Sequence, residues 1–197
     1  MTRRRLPGRS LTLANPPTFG ALASPHRLET IAALGDAKSA SIAELARRLG
    51  RSPHSLYYHI KRLADAGVVV PAETRRRGRR DEQVWTLAAE RILLGPSPGA
   101  AGFGAAASKA VDSMLRLTSR ELQAALRREE RKQGARRTLI GLRAKGRVDG
   151  PTLERITRLV GRIEALIRKA NQQERAGTLY AVTIVLTPTE DKARRED

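Results

Sequence analysis

The chain contains no cysteine among its 197 residues. That removes disulfides, thiolate metal sites and thiol redox sensing at once. Aromatic residues make up only 3%, so a core must be built from Leu, Ile, Val and Ala, which suits packed helices better than an aromatic-rich β-sandwich. No run of 18 apolar residues occurs, which excludes a transmembrane helix. Histidine is also sparse: His26, His54 and His59 are the full set. The N-terminus carries Arg3, Arg4 and Arg5, but Pro7, Arg9, Asn15, Pro16 and Pro17 break the segment that follows. No signal-peptide core is readable there, and the expected location is the cytoplasm.

Positive charge is abundant. The formal net charge is +18, which favours a polyanionic partner, most commonly nucleic acid for a basic protein. Arg- and Ala-rich chains are often basic for compositional reasons, however, and residues 1–95 and 96–197 each carry a surplus of nine positive charges. Charge alone therefore does not locate a binding domain.

Local pattern does. From Ser41 to Trp85 the chain reads as two short helices, a glycine turn and a basic hairpin. Ile42, Leu45, Ala46 and Leu49 fall on one helical stripe. Gly50 marks the turn, Ser52 supplies an N-cap oxygen and Pro53 a pre-set first helical residue. Leu56, Ile60 and Leu63 form the next stripe, and Gly67 ends it before Val68-Val69-Val70. Two helices so joined predict a helix-turn-helix whose second helix enters a DNA major groove. With the earlier FGALASPHRLETIAAL and the later hairpin ending in QVWTL, the stretch LYYHIKRLADAGVVV resembles the winged helix-turn-helix of the arsenical-resistance-repressor (ArsR) family of bacterial regulators. The nearest resemblance is to members with an additional C-terminal domain. It covers Phe19 to Leu94, about two fifths of the chain. It implies DNA binding and regulation of transcription.

The expected organisation follows. Residues 1–17 read as a flexible basic arm and 18–94 as the winged helix-turn-helix, with a first helix from Thr18 to Leu34 that restarts at Ser24-Pro25. Helices at 41–49 and 52–66 precede strands Val68–Pro71 and Gln83–Leu87, whose connecting tip holds five arginines in six residues. Residues 95–104 read as a Gly/Pro linker, 105–188 as a C-terminal α+β domain for dimerisation or effector binding, and 189–197 as a disordered tail. Within the C-terminal domain, an amphipathic helix from Ala105 to Gln133 presents Val111, Met114, Leu115, Leu122, Ala125 and Leu126 on one side. A second, capped by Asp149, carries Leu153, Ile156, Val160, Ile163, Ile167 and Ala170 at 3-4 spacing. Alternation at Thr138–Ala144 and Thr178–Thr187 predicts a small two-stranded sheet. The fold class is thus mainly α with small β, a winged helix-turn-helix plus a C-terminal α+β region.

On a wheel of 100° per residue, Leu56, Ile60 and Leu63 cluster within about 60°. His54, Tyr58, Lys61 and Arg62 lie opposite, with Ser55 and Tyr57 on the flanks. His54, Ser55, Tyr57 and Tyr58 are the candidates for base edges. Ser52 and the first-turn amides suit a phosphate, as does Lys61. Tyr57 has an alternative as a half-core residue; His59 sits beside the buried face, where the resemblance implies that it packs or orients the helix, with DNA contact as its alternative. Arg47 and Arg48 divide between solvated surface and backbone contact. In the hairpin, Arg75, Arg76, Arg77, Arg79 and Arg80 suit phosphates or a narrow minor groove, against the alternative of a solvated loop.

Metal sensing, which the resemblance invites, lacks its ligands: there is no cysteine, and every histidine lies inside the helix-turn-helix. No nucleophile motif or phosphate-cradling loop stands out. Gly99–Gly104 has glycines but no strand-to-helix context, so the expectation is not an enzyme, with no cofactor. Double-stranded DNA is the expected partner, and any effector is a small organic molecule. The long one-sided helices need a surface within the chain or across a two-fold axis, for which a homodimer is the economical answer. The remaining alternatives are a sequence-indifferent nucleoid- or RNA-binding protein and a winged-helix protein-interaction adaptor.

Overall fold

The computed structural model describes residues 10–14, 16–78, 80–94, 102–129, 140–172 and 178–189. Eleven elements run along it. β1 (Leu11–Leu13), α1 (Pro16–Leu22) and α2 (Pro25–Ala37) are followed by β2 (Ser39–Ser41), α3 (Ile42–Leu49) and α4 (Pro53–Asp65). β3 (Val69–Arg77), β4 (Arg80–Leu87), β5 (Ile92–Leu94), α5 (Phe103–Glu129) and α6 (Gly150–Gln172) complete the order. The chain is mainly helical with a small sheet, and it divides into two compact units, Met1–Arg128 and Glu129–Asp197.

In the first unit, α1 to α4 close over one apolar core. Phe19, Leu34, Leu45, Leu56, Leu63, Val68 and Val84 have no exposed surface, and Ile60 and Val69 have 1%. β2, β4 and β3 form an antiparallel sheet in that order. Ala40 stands opposite Trp85, and Val70 opposite Thr86. The β3–β4 register slips between Pro71 and Glu73. There Ala72 is an extra, buried residue, next to a proline that has no N–H to give the ladder. The corner between α2 and β2 is tight, and Lys38 adopts φ 63°, a left-handed conformation uncommon for a residue with a Cβ. The Thr86 hydroxyl donates to the Lys38 carbonyl at 2.7 Å, tying that corner to β4.

Several expectations are corrected here. The segment read as a loose arm up to residue 17 includes β1, which pairs in parallel with β5 from Leu11↔Ile92 to Leu13↔Leu94; residues 1–9 lie outside the described residues. The first helix is two helices, broken at Ser24-Pro25 as its sequence suggested, although the Ser24 side chain makes no capping bond. The hairpin strands are longer than expected and take in most of the arginine cluster. Of the linker, residues 95–101 lie outside the described residues.

α5 belongs with the first unit rather than with the region beyond the linker. Phe103 stacks edge-on against Phe19 with ring centroids 5.2 Å apart, and Ala110 and Ser113 are buried. Its buried face is therefore the small-residue face near its start, while Leu115, Leu122 and Leu126 are exposed. In the second unit α6 is capped as expected, Asp149 Oδ1 accepting from the Thr152 amide at 2.9 Å. The two C-terminal strands are absent among the described residues: 140–149 and 178–189 form no ladder. Alternation specifies which side chains share a face, but a strand also needs a backbone ladder in register, and alternation does not specify that ladder. Ile140 and Leu142 are accordingly 91% and 89% exposed; residues 138–139 and the tail from 190 lie outside the described residues.

Phe19 joins α1 to α5 through the core. Phe19→Ala is expected to lower unfolding free energy by about 3–5 kcal/mol, read as a lowered urea midpoint.

Candidate nucleic-acid interface

The interface is built on two capped helices. At the start of α3, Ser41 Oγ accepts from the Glu44 amide at 3.2 Å and Glu44 Oε2 accepts from the Ser41 amide at 2.7 Å, a capping box. The Ser41 amide holds the Glu44 carboxyl below its usual range, helped by nearby Arg75 and Arg47. Gly50 ends α3 with φ 60°, a left-handed turn open to glycine at little cost. Two residues later Ser52 Oγ accepts from the Ser55 amide at 3.3 Å, and Pro53 begins α4. The angle between α3 and α4 is then fixed by Leu45 against Leu56, Ile60 and Leu63 in the common core.

With that stripe buried, the rest of α4 faces outward. Ser52, His54, Tyr57, Tyr58, Lys61 and Arg62 are exposed and Ser55 is half-buried. Tyr57 and Tyr58 are 64% and 59% exposed, so Tyr57 is not part of the core. Lys61 Nζ is engaged by Asp65 at 3.1 and 3.2 Å, an exposed i,i+4 pair that water and salt weaken. Ser52 acts first as a cap, its Oγ accepting from the Ser55 amide, and a hydroxyl that accepts in this way can still donate.

His59 packs, in line with its expected role. Its ring lies 5.7 Å from that of His26 and 5.6 Å from Tyr58, and its Nδ1 is buried with no hydrogen-bond partner. Burial holds its pKa down, reinforced by the charges of Arg27, His26 and Arg51. Arg27, not foreseen from sequence, is buried behind α4. Its Nε donates to the Ala21 carbonyl at 2.5 Å and its Nη2 to the Gly20 carbonyl at 2.6 Å, satisfying the last carbonyls of α1 with a cation. No local pattern marks that role, because the carbonyls belong to another helix.

The arginine cluster is not a single loop tip. Arg75, Arg76 and Arg77 lie in β3 and Arg80 in β4, with Arg76 opposite Asp81 and Arg77 opposite Arg80; Arg79 lies outside the described residues. Arg75 turns back towards the protein: its Nε donates to Glu73 Oε1 at 2.7 Å and its Nη1 lies 3.5 Å from Glu44 Oε1. Those carboxylates raise its pKa, Glu73 most. Arg76 is exposed and, by the two-residue period of a strand, on the opposite face from Arg75. An open cleft of about 490 Å³ between α3 and β3 is lined by Glu44, Arg47, Arg48 and Arg75. Arg48 is paired with Asp36, so much of the cleft's charge is already balanced. Among the described residues no cluster of His, Asp and Glu is arranged to hold a metal.

A family model described as a helix-turn-helix domain matches residues 22–71, from the end of α1 to the start of the wing. No curated protein matches the chain. The chain therefore carries a helix-turn-helix domain of the DNA-binding regulator kind, and no helix among the described residues is long and apolar enough to cross a membrane.

The neutral form of His59 is favoured in the fold, which fixes the sign of its pH effect. Above its ordinary pKa of 6.5 neither folded nor unfolded chain takes up a proton there, so stability is full. Below 6.5 the unfolded chain gains a proton that the folded chain resists, and stability falls until folded His59 is also charged. Urea midpoints measured from pH 7.5 to 5 should decline for the wild type and decline less for His59→Gln. Parallel curves would assign the slope to other groups.

Proposed function

We propose that this chain is a homodimeric, ArsR-like transcriptional regulator, a repressor that occupies an inverted-repeat operator. The observation that carries the reading is the outward face of α4. An N-capped helix, locked from behind by Leu56, Ile60 and Leu63, presents His54, Tyr57 and Tyr58 to solvent at its N-terminal half. That is the half a recognition helix inserts into the major groove. Ser55 and His54 suit base edges, Tyr57 and Tyr58 a thymine methyl or phosphate, and Ser52, Lys61 and Arg62 the backbone. Arg76, Arg77, Arg79 and Arg80 serve the wing, whereas Arg75 serves chiefly to hold the wing to α3.

The C-terminal region supports the dimer. Leu153, Leu159, Ile163, Leu166 and Ile167 on α6 are each at least 40% exposed, and none of the described residues from 140 to 189 is buried. A unit with that much apolar surface in water is stabilised by covering it, and a second copy supplies a two-fold partner to match two half-sites. We read the protein as a cytoplasmic regulator without catalytic activity or cofactor, whose effector, where one acts, is an organic molecule. The net charge of +18 and its even distribution favour a second reading, sequence-indifferent nucleic-acid binding. An adaptor role fits less well, because α4 exposes tyrosine, histidine and basic residues rather than leucines. Sequencing of genomic fragments retained by the full chain at rising salt separates the first two readings. Regulators retain a few symmetric sites, and sequence-indifferent binders retain none preferentially.

Substituting His54, Ser55 or Tyr58 by Ala is expected to cost about 1–3 kcal/mol each on a selected site and little on random DNA; equal losses on both would remove these side chains from base reading. Replacing Arg76, Arg77, Arg79 and Arg80 together by Gln should flatten the plot of log K against log salt by roughly 0.9 for every phosphate that an arginine no longer neutralises. Introducing Val160→Glu with Ile163→Glu in the full chain should yield a monomer by sedimentation. Site affinity should then fall by about 10²–10⁴ with the loss of bivalency.

A further inference from the structure

Glu29 of α2 lies outside every residue assigned to DNA, yet each of its carboxylate oxygens serves a different part of the fold. Oε2 accepts from Arg51 Nη2 at 2.5 Å and lies 3.5 Å from His26 Nδ1. Oε1 accepts from Arg120 Nη2 at 3.1 Å. Arg51 stands between Gly50, which ends α3, and Ser52, which caps α4, so it occupies the turn that sets where the recognition helix begins. Arg120 is on α5, 91 residues further along. At about 100° per residue, the exposed leucines of that helix, Leu115, Leu122 and Leu126, lie on the side away from Arg120.

The two bonds are unequal. The Arg51 and Glu29 side chains are 24% and 23% exposed, and that of Arg120 is 47% exposed. Arg51 Nε is buried without a partner, so its guanidinium depends on the bond from Nη2 to Glu29 for anchorage. The Arg120 bond is wetter and weaker, which makes it the one that opens first. Glu121 adds to this poise. Burial and the charge of Glu29 both raise its pKa, while Arg120 lowers it. Arg27, His26 and His59 face the same region from α2 and α4.

We propose that Glu29 is a coupling residue, through which the position of α5 and the orientation of the Gly50–Ser52 turn are energetically linked. A carboxylate held by two cations from different elements has one orientation that satisfies both. Drawing Arg120 away frees the carboxylate to rotate, and Arg51 loses its fixed acceptor. Linkage makes the effect reciprocal: whatever shifts α5 at Arg120 changes the turn, and whatever orders the turn changes α5. The consequence for DNA rests on the reading of α4 as a recognition helix; the link between α5 and the turn does not.

A three-way mutant cycle in the full chain tests the link without DNA. Arg51→Gln and Arg120→Gln, which share no bond, are expected to be non-additive in urea midpoint when Glu29 is present and additive in the Glu29→Gln background. Arg51→Lys serves in the same cycle if Arg51→Gln fails to fold. Hydrogen exchange at residues 50–55 is expected to quicken in Arg120→Gln and to remain unchanged in Arg127→Gln, a charge-matched substitution on the same helix. Affinity for a selected DNA site is expected to fall roughly 2–10-fold in Arg120→Gln, with no further fall when Glu29→Gln is already present. Additive effects with Glu29 intact, or exchange at the turn indifferent to Arg120, overturn the proposal whether or not DNA binds. A wild-type chain that retains no DNA overturns the reading of α4 alone, and the cycle still decides the coupling.

Discussion

The burial of one stripe on α4 governs most of what this protein displays. Leu56, Ile60 and Leu63 enter the core with essentially no exposed surface. Because a helix turns about 100° per residue, that single choice dictates which side chains face water. His54, Tyr57, Tyr58, Lys61 and Arg62 are outward because the leucines and isoleucine are inward. Burying three such side chains contributes about 1.5–3 kcal/mol each, while each exposed polar residue on the far side contributes little to stability. The face is therefore free to vary in sequence while the stripe holds it in place.

A second constraint is the satisfaction of helix ends. α3 begins with a reciprocal serine–glutamate cap and ends at a left-handed glycine, and α4 begins with a serine cap and a proline. α1 is different: its last carbonyls receive a buried arginine from α2. Moving a cation into that position costs desolvation, which lowers the Arg27 pKa, and two short hydrogen bonds offset the cost. Arg27 thus does for α1 what a local cap does for α3 and α4, and it also places positive charge behind α4 beside His59.

Legibility in the sequence followed the range of the signal. α3, α4 and the turn between them were readable because Gly50, Ser52 and Pro53 act on their own neighbourhood. The wing's existence was readable, but its length was not. Five arginines look like a solvated loop, whereas ladder hydrogen bonds run between backbones and ignore side-chain charge. The parallel pairing of Leu11–Leu13 with Ile92–Leu94 joins three-residue strands about eighty positions apart, with no local trace. On α5 the leucines drew the reading towards Leu115, Leu122 and Leu126, but the core takes Ala106, Ala110 and Ser113, small residues that allow a close approach to the winged helix. Glu29 was invisible for the same reason as Arg27: its partners come from other elements. The C-terminal segments differ in the opposite direction: alternation is present, but no strand forms among the described residues of 140–149 and 178–189.

The division of α5 between a packed beginning and an exposed continuation has a consequence for how this protein can evolve. Beyond Ser113 the helix runs a further sixteen residues to Glu129, a rod of about 24 Å at 1.5 Å per residue. Substitutions at its exposed positions other than Arg120 change its chemistry and leave its geometry alone. A single inserted or deleted residue is different. It turns the point where the chain leaves the helix by about 100° and carries Arg120, if it falls before that residue, off the side that meets α2. Arg120 apart, the rod is tolerant in composition and intolerant in length, so its residue count is the quantity to compare when chains of this kind are aligned.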